Sequence, residues 1–224
     1  PASRCAHDDQ HFRRRVLAWS PKHRALLGES VDGRQAGLRL DSAELLVTSA
    51  QEGDSGFSLG GRTLGDALGW VTERFGRPLS LPARQPPPHA VLSGGRFPFG
   101  NSATKQLGAE FEGAAAVLAR FTIELAEASP VRCWAATFEL STLVPFGQGA
   151  VCLGFSPGDE HHPEPYWYVG LGPHPGPAAA TLPSPGPLGA DPRGEAALLV
   201  SGFLGEAFAA CRELVRNAGP LSGR

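Results

Sequence analysis

The chain lacks methionine altogether, holds only two tyrosines, and carries only two lysines, Lys22 and Lys105, among its 20 cationic side chains. Its four cysteines form no C-x-x-C pair, which leaves neither a zinc knuckle nor a thioredoxin-like redox motif. Cys133 and Cys152 are expected on neighbouring strands, as small buried thiols in a reducing compartment. No stretch approaches the ~20 apolar residues that a membrane span requires. The first residues are charged (Arg4, Asp8, Asp9, Arg13, Arg14, Arg15) where a signal peptide would be apolar, which predicts a cytoplasmic location. The missing methionine, with Pro1 in first place, is read as loss of an initiator residue. The near-absence of lysine, together with abundant Ala, Gly and Pro, reads as the coding bias of a GC-rich bacterial genome. A net charge of -2 gives no global attraction to a polyanion. The lone basic run at Arg13–Arg15 is read as a solvated helix face, so no nucleic-acid partner and no membrane partner are expected.

What the chain does have is the material of a globule: 224 residues, 42% hydrophobic and 19% charged. The expected organisation is an extension over 1–35 with a short helix at His11–Trp19, a single α+β domain over 36–219, and a tail over 220–224. Alternation and turn residues predict strands within 36–59, the clearest being Glu44–Ser49. Thr63 caps a helix whose face is Leu64, Leu68, Val71 and Phe75, closed by Gly76 and Pro78. A short strand is expected at His89–Leu92. Ser102 opens a helix over about 103–127 with Leu107, Phe111, Leu118, Phe121 and Leu125 as its buried stripe. Val131–Leu140 reads as one central strand, with Trp134, Ala136, Phe138 and Leu140 on one face. Ala150–Phe155 and Tyr166–Leu171 follow as strands. Residues 172–190 are a Pro/Gly/Ala tract expected to be a loop. Asp191 and Pro192 start a last helix, with Leu199, Phe203, Ala207, Cys211 and Leu214 on its buried face and Gly219–Pro220 as its stop.

Three segments could carry chemistry. Gly53–Asp54–Ser55–Gly56 has the letters that surround a trypsin-like nucleophile, and Cys5–Ala6–His7 distantly resembles the matching histidine segment. A triad is a geometry, however, and here Ser55 precedes nearly everything, so a turn between strands is the better reading. Asp159–Glu160–His161–His162–Pro163–Glu164 is the densest set of metal-ligand types, and Glu160, His161, His162 and Glu164 could serve a metal-dependent hydrolase. Adjacent loop residues seldom aim at one ion, so a solvated hairpin loop is preferred. Tyr166–Trp167–Tyr168 places both tyrosines on one strand face and Trp167 on the other. Glu139 stands in an otherwise apolar strand, where a carboxylate needs a partner such as Arg132, a strand end or a site.

The order of these segments resembles a bacterial family catalogued as domain of unknown function 5996. The likeness rests on Ser129–Pro130–Val131–Arg132–Cys133–Trp134–Ala135–Ala136–Thr137–Phe138–Glu139–Leu140 after a helix ending Ala119–Arg120–Phe121. Gly154–Phe155–Ser156–Pro157–Gly158, Pro165–Tyr166–Trp167–Tyr168 and the Ala196–Ala197–Leu198–Leu199 helix extend it. It spans about 36–217, most specifically 102–171, with order and spacing carrying more than any single motif. The family pattern has a histidine where Arg132 stands, an aromatic at Ala135, an Asp at Glu139 and a longer Trp- and His-rich N-terminal stretch. The resemblance implies an α+β relative and brings no activity with it.

The expected fold is therefore α+β, a mainly antiparallel sheet with about three helices packed on it. The expected function is binding of a small molecule in a pocket walled by Trp134, Phe138, Tyr166 and Tyr168, with Arg132 and Glu139 as polar anchors. No cofactor is expected. The metal-dependent hydrolase is the first alternative. The second is a structural or interaction protein that associates through apolar helix faces, with a homodimer as one option.

Overall fold

A computed structural model describes residues 16–78, 89–100, 102–146, 149–172, 179–188 and 194–217. They form two units, 1–108 and 109–224, each built on an antiparallel meander of five strands. With three α-helices among the described residues, the chain is an α+β protein.

In the first unit β1 (Val16–Ser20), β2 (Ala25–Leu27), β3 (Arg34–Arg39), β4 (Glu44–Ser49) and β5 (Ser55–Ser58) pair in chain order. The expected helix at His11–Trp19 is overturned, since Val16–Ser20 is a strand and residues 11–15 lie outside the described region. Pairing with β2, whose Ala25 and Leu26 are fully buried, outweighs the weak helical pattern of a short segment. Gly37 sits opposite Leu27 and Leu46, and a Cβ there would lie 2.4 Å from a Leu27 methyl and 2.7 Å from the Leu26 carbonyl oxygen. Its missing side chain is what lets Leu27 close over the strand.

The Gly53–Asp54–Ser55–Gly56 segment is a turn: Gly53 has φ +79° and exchanges backbone hydrogen bonds with Ser49, and Ser55 begins β5. Helix α1 (Leu64–Phe75) begins and ends where its capping residues dictate. The Thr63 hydroxyl accepts from Asp66 N, Asp66 accepts from Thr63 N, and Gly76 closes the helix at φ +64°. Such a cap contributes about 1 kcal/mol. Trp70 of α1 stacks on Phe57 of β5 at 5.4 Å, tying helix to sheet. His89–Leu92 is not a strand. Ala90–Ser93 forms one 3-10 turn, with the His89 ring accepting from Val91 N and Gly94 closing it at φ +89°.

Helix α2 (Ser102–Glu124) carries the boundary between the units, which falls after Gly108. In the second unit β6 (Arg132–Trp134), β7 (Glu139–Phe146), β8 (Gly149–Ser156), β9 (Tyr166–Leu171) and β10 (Ala180–Pro183) again pair in chain order. The expected single strand Val131–Leu140 is a hairpin. Ala135–Phe138 turn the chain, Phe138 N donates to Trp134 O at 2.7 Å, and Phe138 adopts φ +62°. No Gly, Pro or Asn marks the reversal. A residue of this bulk in the left-handed region is strained, and the contact of its ring with Phe111 of α2 at 5.4 Å holds it there.

The tract 172–190 is likewise not all loop: β10 adds to β9, and Leu188 is buried against Gly113, where a Cβ would stand 2.8 Å from that of Leu188. Helix α3 (Glu195–Asn217) packs on β8 and β9 through Ala197, Val200, Leu204 and Phe208. Of the face expected to be buried, Leu199 and Leu214 are 57% and 65% exposed. The helix has apolar residues on two faces, and contact with the sheet selected the other one. Asp191, Pro192, Gly219 and Pro220 lie outside the described residues.

Two glycines with opposite surroundings test this packing. Gly202 lies inside α3 with nothing near a new Cβ, so Gly202→Ala should stabilise by about 0.8–1.0 kcal/mol. Gly37→Ala should destabilise by about 1–3 kcal/mol, because backbone and side chain both obstruct the methyl. Urea unfolding midpoints at pH 7 would show the two shifts with opposite signs.

Candidate functional site

Strand parity sorts the second sheet into two faces of different chemistry. Register puts Leu140, Thr142, Val144, Val151, Leu153, Phe155, Trp167 and Val169 on one face, all at most 5% exposed. This is the apolar core, joined by Phe111 of α2 edge-on to Phe155 at 5.8 Å. The other face carries Glu139, Ser141, Cys152, Gly154, Ser156, Tyr166 and Tyr168. These too are buried: Glu139 is 5% exposed, Ser141 2%, Ser156 1%, Tyr166 6% and Tyr168 0%. Hydrogen-bonding side chains are costly to bury unless they are satisfied, and this face satisfies them among themselves.

Their partners are specific. Trp134 donates its indole N–H to the Ser141 hydroxyl at 2.7 Å. Thr137 donates to Glu139 Oε2 at 3.1 Å across the hairpin turn. The Cys152 thiol lies 3.9 Å from the Tyr168 hydroxyl. Gly154 makes the arrangement possible: a Cβ there would lie 2.4 Å from both Cζ and OH of Tyr168, so the phenol lies flat across bare backbone. Tyr166 donates to Asp159 Oδ2 at 2.5 Å. Asp159 Oδ1 accepts from the backbone N–H groups of His161 and His162 at 2.7 and 2.8 Å.

The electrostatics follow from this burial. Desolvation pushes the Cys133 thiol up to about 12 and the Cys152 thiol up to about 11, and the Glu139 carboxylate adds to both. Burial also lifts Tyr166 to about 12, with the hydrogen bond to Asp159 as the next cause, and holds Tyr168 well above the usual phenol range. The Tyr166 hydroxyl, followed by the two loop N–H groups, holds Asp159 below the ordinary carboxylate value. At neutral pH the two phenols and the Cys152 thiol of this face are therefore neutral.

Of the six residues singled out from the sequence, Tyr166, Tyr168 and Glu139 share this buried face. Trp134 lies half-buried on the same face, opposite Glu139. Arg132, exposed, stands opposite Ser141 on the same face, whereas Glu139 is buried. Phe138 leaves the group, because the hairpin turn sends its ring to Phe111. Cys133 and Cys152 are separated by β7 rather than adjacent, and both are free thiols.

The histidine loop is organised by Asp159. His161 is 78% exposed at its side chain, the His162 ring rests near Tyr166 at 4.9 Å, and Glu160 is 87% exposed. Among the described residues no three His, Cys, Asp or Glu side chains are placed to hold a metal. Sequence reasoning missed Ser141, Ser156 and Asp159. The first two are flagged only by strand parity with the tyrosines. Asp159 is flagged by its Asx-turn position ahead of two residues whose N–H groups need acceptors. Compared with family models, with curated proteins and with solved structures, the chain matches none.

The raised pKa values have a stability consequence with a definite sign. Unfolded, the two thiols would ionise near 9.0, whereas folded they hold their protons to about 12 and 11. The stability they contribute is full below pH 9 and is lost as pH rises through the interval to 12. The urea midpoint under reducing conditions should therefore fall steeply between pH 8.5 and about 11, and Cys133→Ala should flatten that slope. At pH 8, a thiol reagent should leave Cys133 and Cys152 unmodified until the protein unfolds.

Proposed function

We propose that the second unit binds a small molecule through the polar face of β7, β8 and β9. Glu139, Ser141, Ser156, Tyr166 and Tyr168 supply the hydrogen-bonding floor, Trp134 forms the rim, and Arg132 lies outside it. The observation that carries the reading is the asymmetry of the sheet. One face is mainly apolar, with the buried Thr142 hydroxyl given to Ser129 O, while the other keeps a carboxylate, two serine hydroxyls, a thiol and both of the chain's tyrosines away from water. A purely structural layer would be served as well by apolar side chains, without the desolvation those groups cost.

The chemistry of the face selects the ligand. It offers aromatic rings and a carboxylate, and its one described cation, Arg132, is turned to solvent. That combination favours a small molecule that donates hydrogen bonds or carries positive charge, such as a primary or quaternary amine.

The test uses benzylammonium and tetramethylammonium, with benzoate as the charge-reversed control. A ligand at 100 times its Kd stabilises the native state by about 2.7 kcal/mol, which is a shift of several degrees in Tm. Such a shift is expected for at least one amine and not for benzoate, and Glu139→Gln should weaken it tenfold or more while the protein stays folded. No shift with either amine, or equal shifts in wild type and Glu139→Gln, would overturn the proposal.

A further inference from the structure

The second unit has a pocket of about 290 Å3 on the opposite side of its sheet from the polar face. Its lining includes Glu124 and Glu127 where α2 ends, Val144 and Phe146 where β7 ends, and Phe208 and Arg212 on α3. Val144 and Phe146 share the strand parity of Leu140, which places them with the apolar side chains of β7. Val144 and Phe208 are buried and make an apolar floor. Phe146 and Arg212 are half-buried walls, and Glu124 and Glu127 are exposed at the rim.

The position of the cation is fixed by its ring contacts. Helical spacing puts Phe208, Arg212 and Arg216 on one stripe of α3. The guanidinium carbon of Arg212 stands 5.6 Å from the centre of the Phe208 ring and 5.4 Å from that of Phe146, so it sits against two walls of the pocket at once. Arg216 lies 5.8 Å from the same Phe146 ring and adds a second positive charge on that side. A guanidinium held over aromatic rings keeps its planar fork of N–H groups for an acceptor.

The opposite wall is anionic, and the two walls do not neutralise each other. Glu124 is held by Arg120 of its own helix at 3.0 Å. Glu127 stands just past the end of α2, where the last carbonyls carry partial negative charge. Among the described residues, neither Arg212 nor Arg216 has a carboxylate within 4 Å, and neither does Glu127 have a cation. A pocket with a cationic side, an anionic side and an apolar floor is matched by a ligand that carries both charges and an apolar group.

We propose that this pocket binds a small zwitterion of the amino-acid type with an apolar side chain. Its carboxylate takes the Arg212 fork, its ammonium faces Glu127 and the end of α2, and its side chain lies on Val144 and Phe208. The volume is at the lower end of small-molecule pockets, about 300 Å3, which suits a ligand of that size. The site is independent of the amine reading of the polar face, since the two lie on opposite sides of the sheet.

The full chain is titrated by calorimetry with phenylalanine and with leucine. Sub-millimolar binding of at least one of them is expected. In competition, 3-phenylpropionate, which lacks the ammonium, and phenethylamine, which lacks the carboxylate, should each displace it at least tenfold less effectively. Tetramethylammonium, the cation probe of the polar face, should not displace it, so that either site can fail without the other. Arg212→Gln should reduce affinity tenfold or more, and Arg212→Lys should restore only part of it, because a point charge does not replace the fork. Glu127→Gln, at an exposed position, should weaken phenylalanine and tighten 3-phenylpropionate, opposite signs that a merely structural role would not produce. Lys22→Gln, in the first unit, should change nothing. No heat and no Tm shift with either amino acid at millimolar concentration would overturn the proposal. So would 3-phenylpropionate binding as tightly as phenylalanine, or affinity unchanged when Arg212 and Glu127 are replaced together in a variant whose Tm matches wild type.

Discussion

The Tyr168 phenol lies across Gly154 with no room for one more carbon between them, and much of the second unit is organised around that contact. To lie flat, the ring needs bare backbone beneath it on β8, which fixes β9 against β8 in a register that pairs Gly154 with Tyr168. Because side chains alternate, the same register fixes everything else on that face: Tyr166 opposite Ser156, and Ser141 beside Gly154 on β7. A slip of one residue would carry Phe155 and Trp167 out of the apolar core and put the two tyrosines into it. Register is thus held from both sides of the sheet at once, by apolar burial on one face and by hydrogen-bond matching on the other.

Burial then settles the chemistry of that face. Thiols and phenols that would ionise in mildly alkaline water stay protonated, since a charged form there would lose its hydration without gaining a compensating cation. Toward the Asp159 loop the balance reverses. There the carboxylate is nearly exposed and receives three hydrogen-bond donors, so the charged form is the favoured one. Tyr166 connects the two regimes: its ring belongs to the buried layer and its hydroxyl organises the loop. The polar content of that loop fits its place, because the loop needs an acceptor at its first position and solvent-compatible side chains elsewhere.

In the first unit the recurring device is the close approach of chain to chain at glycine. Gly37 admits Leu27 across β3, and Gly108 admits the Asp41 turn against α2. Both substitute absent side chains for packing that a Cβ would block.

What could be read in advance was whatever local chemistry specifies. The Thr63–Asp66 capping box and Gly76 delimit α1, the bounds of β4 and β9 follow from their apolar runs, and Gly53 marks the turn that dismisses Ser55 as a nucleophile. The α+β class and the pairing of Tyr166 with Tyr168 on one face also follow from composition and period alone. The hairpin at Ala135–Phe138 was hidden, since its left-handed residue is a phenylalanine stabilised by Phe111, which lies 27 positions earlier in the chain. The buried face of α3 was misassigned because two faces are apolar and only the sheet could choose between them. Serines 141 and 156 looked like ordinary strand residues until register put them beside the tyrosines. The sequence by itself determined the bounds of α1, β4 and β9 and which residues share a face of β9, because those depend on neighbours within a few positions. Only the tertiary structure decided which face is polar and which thiols are silent, because those depend on partners that the chain brings together from far apart.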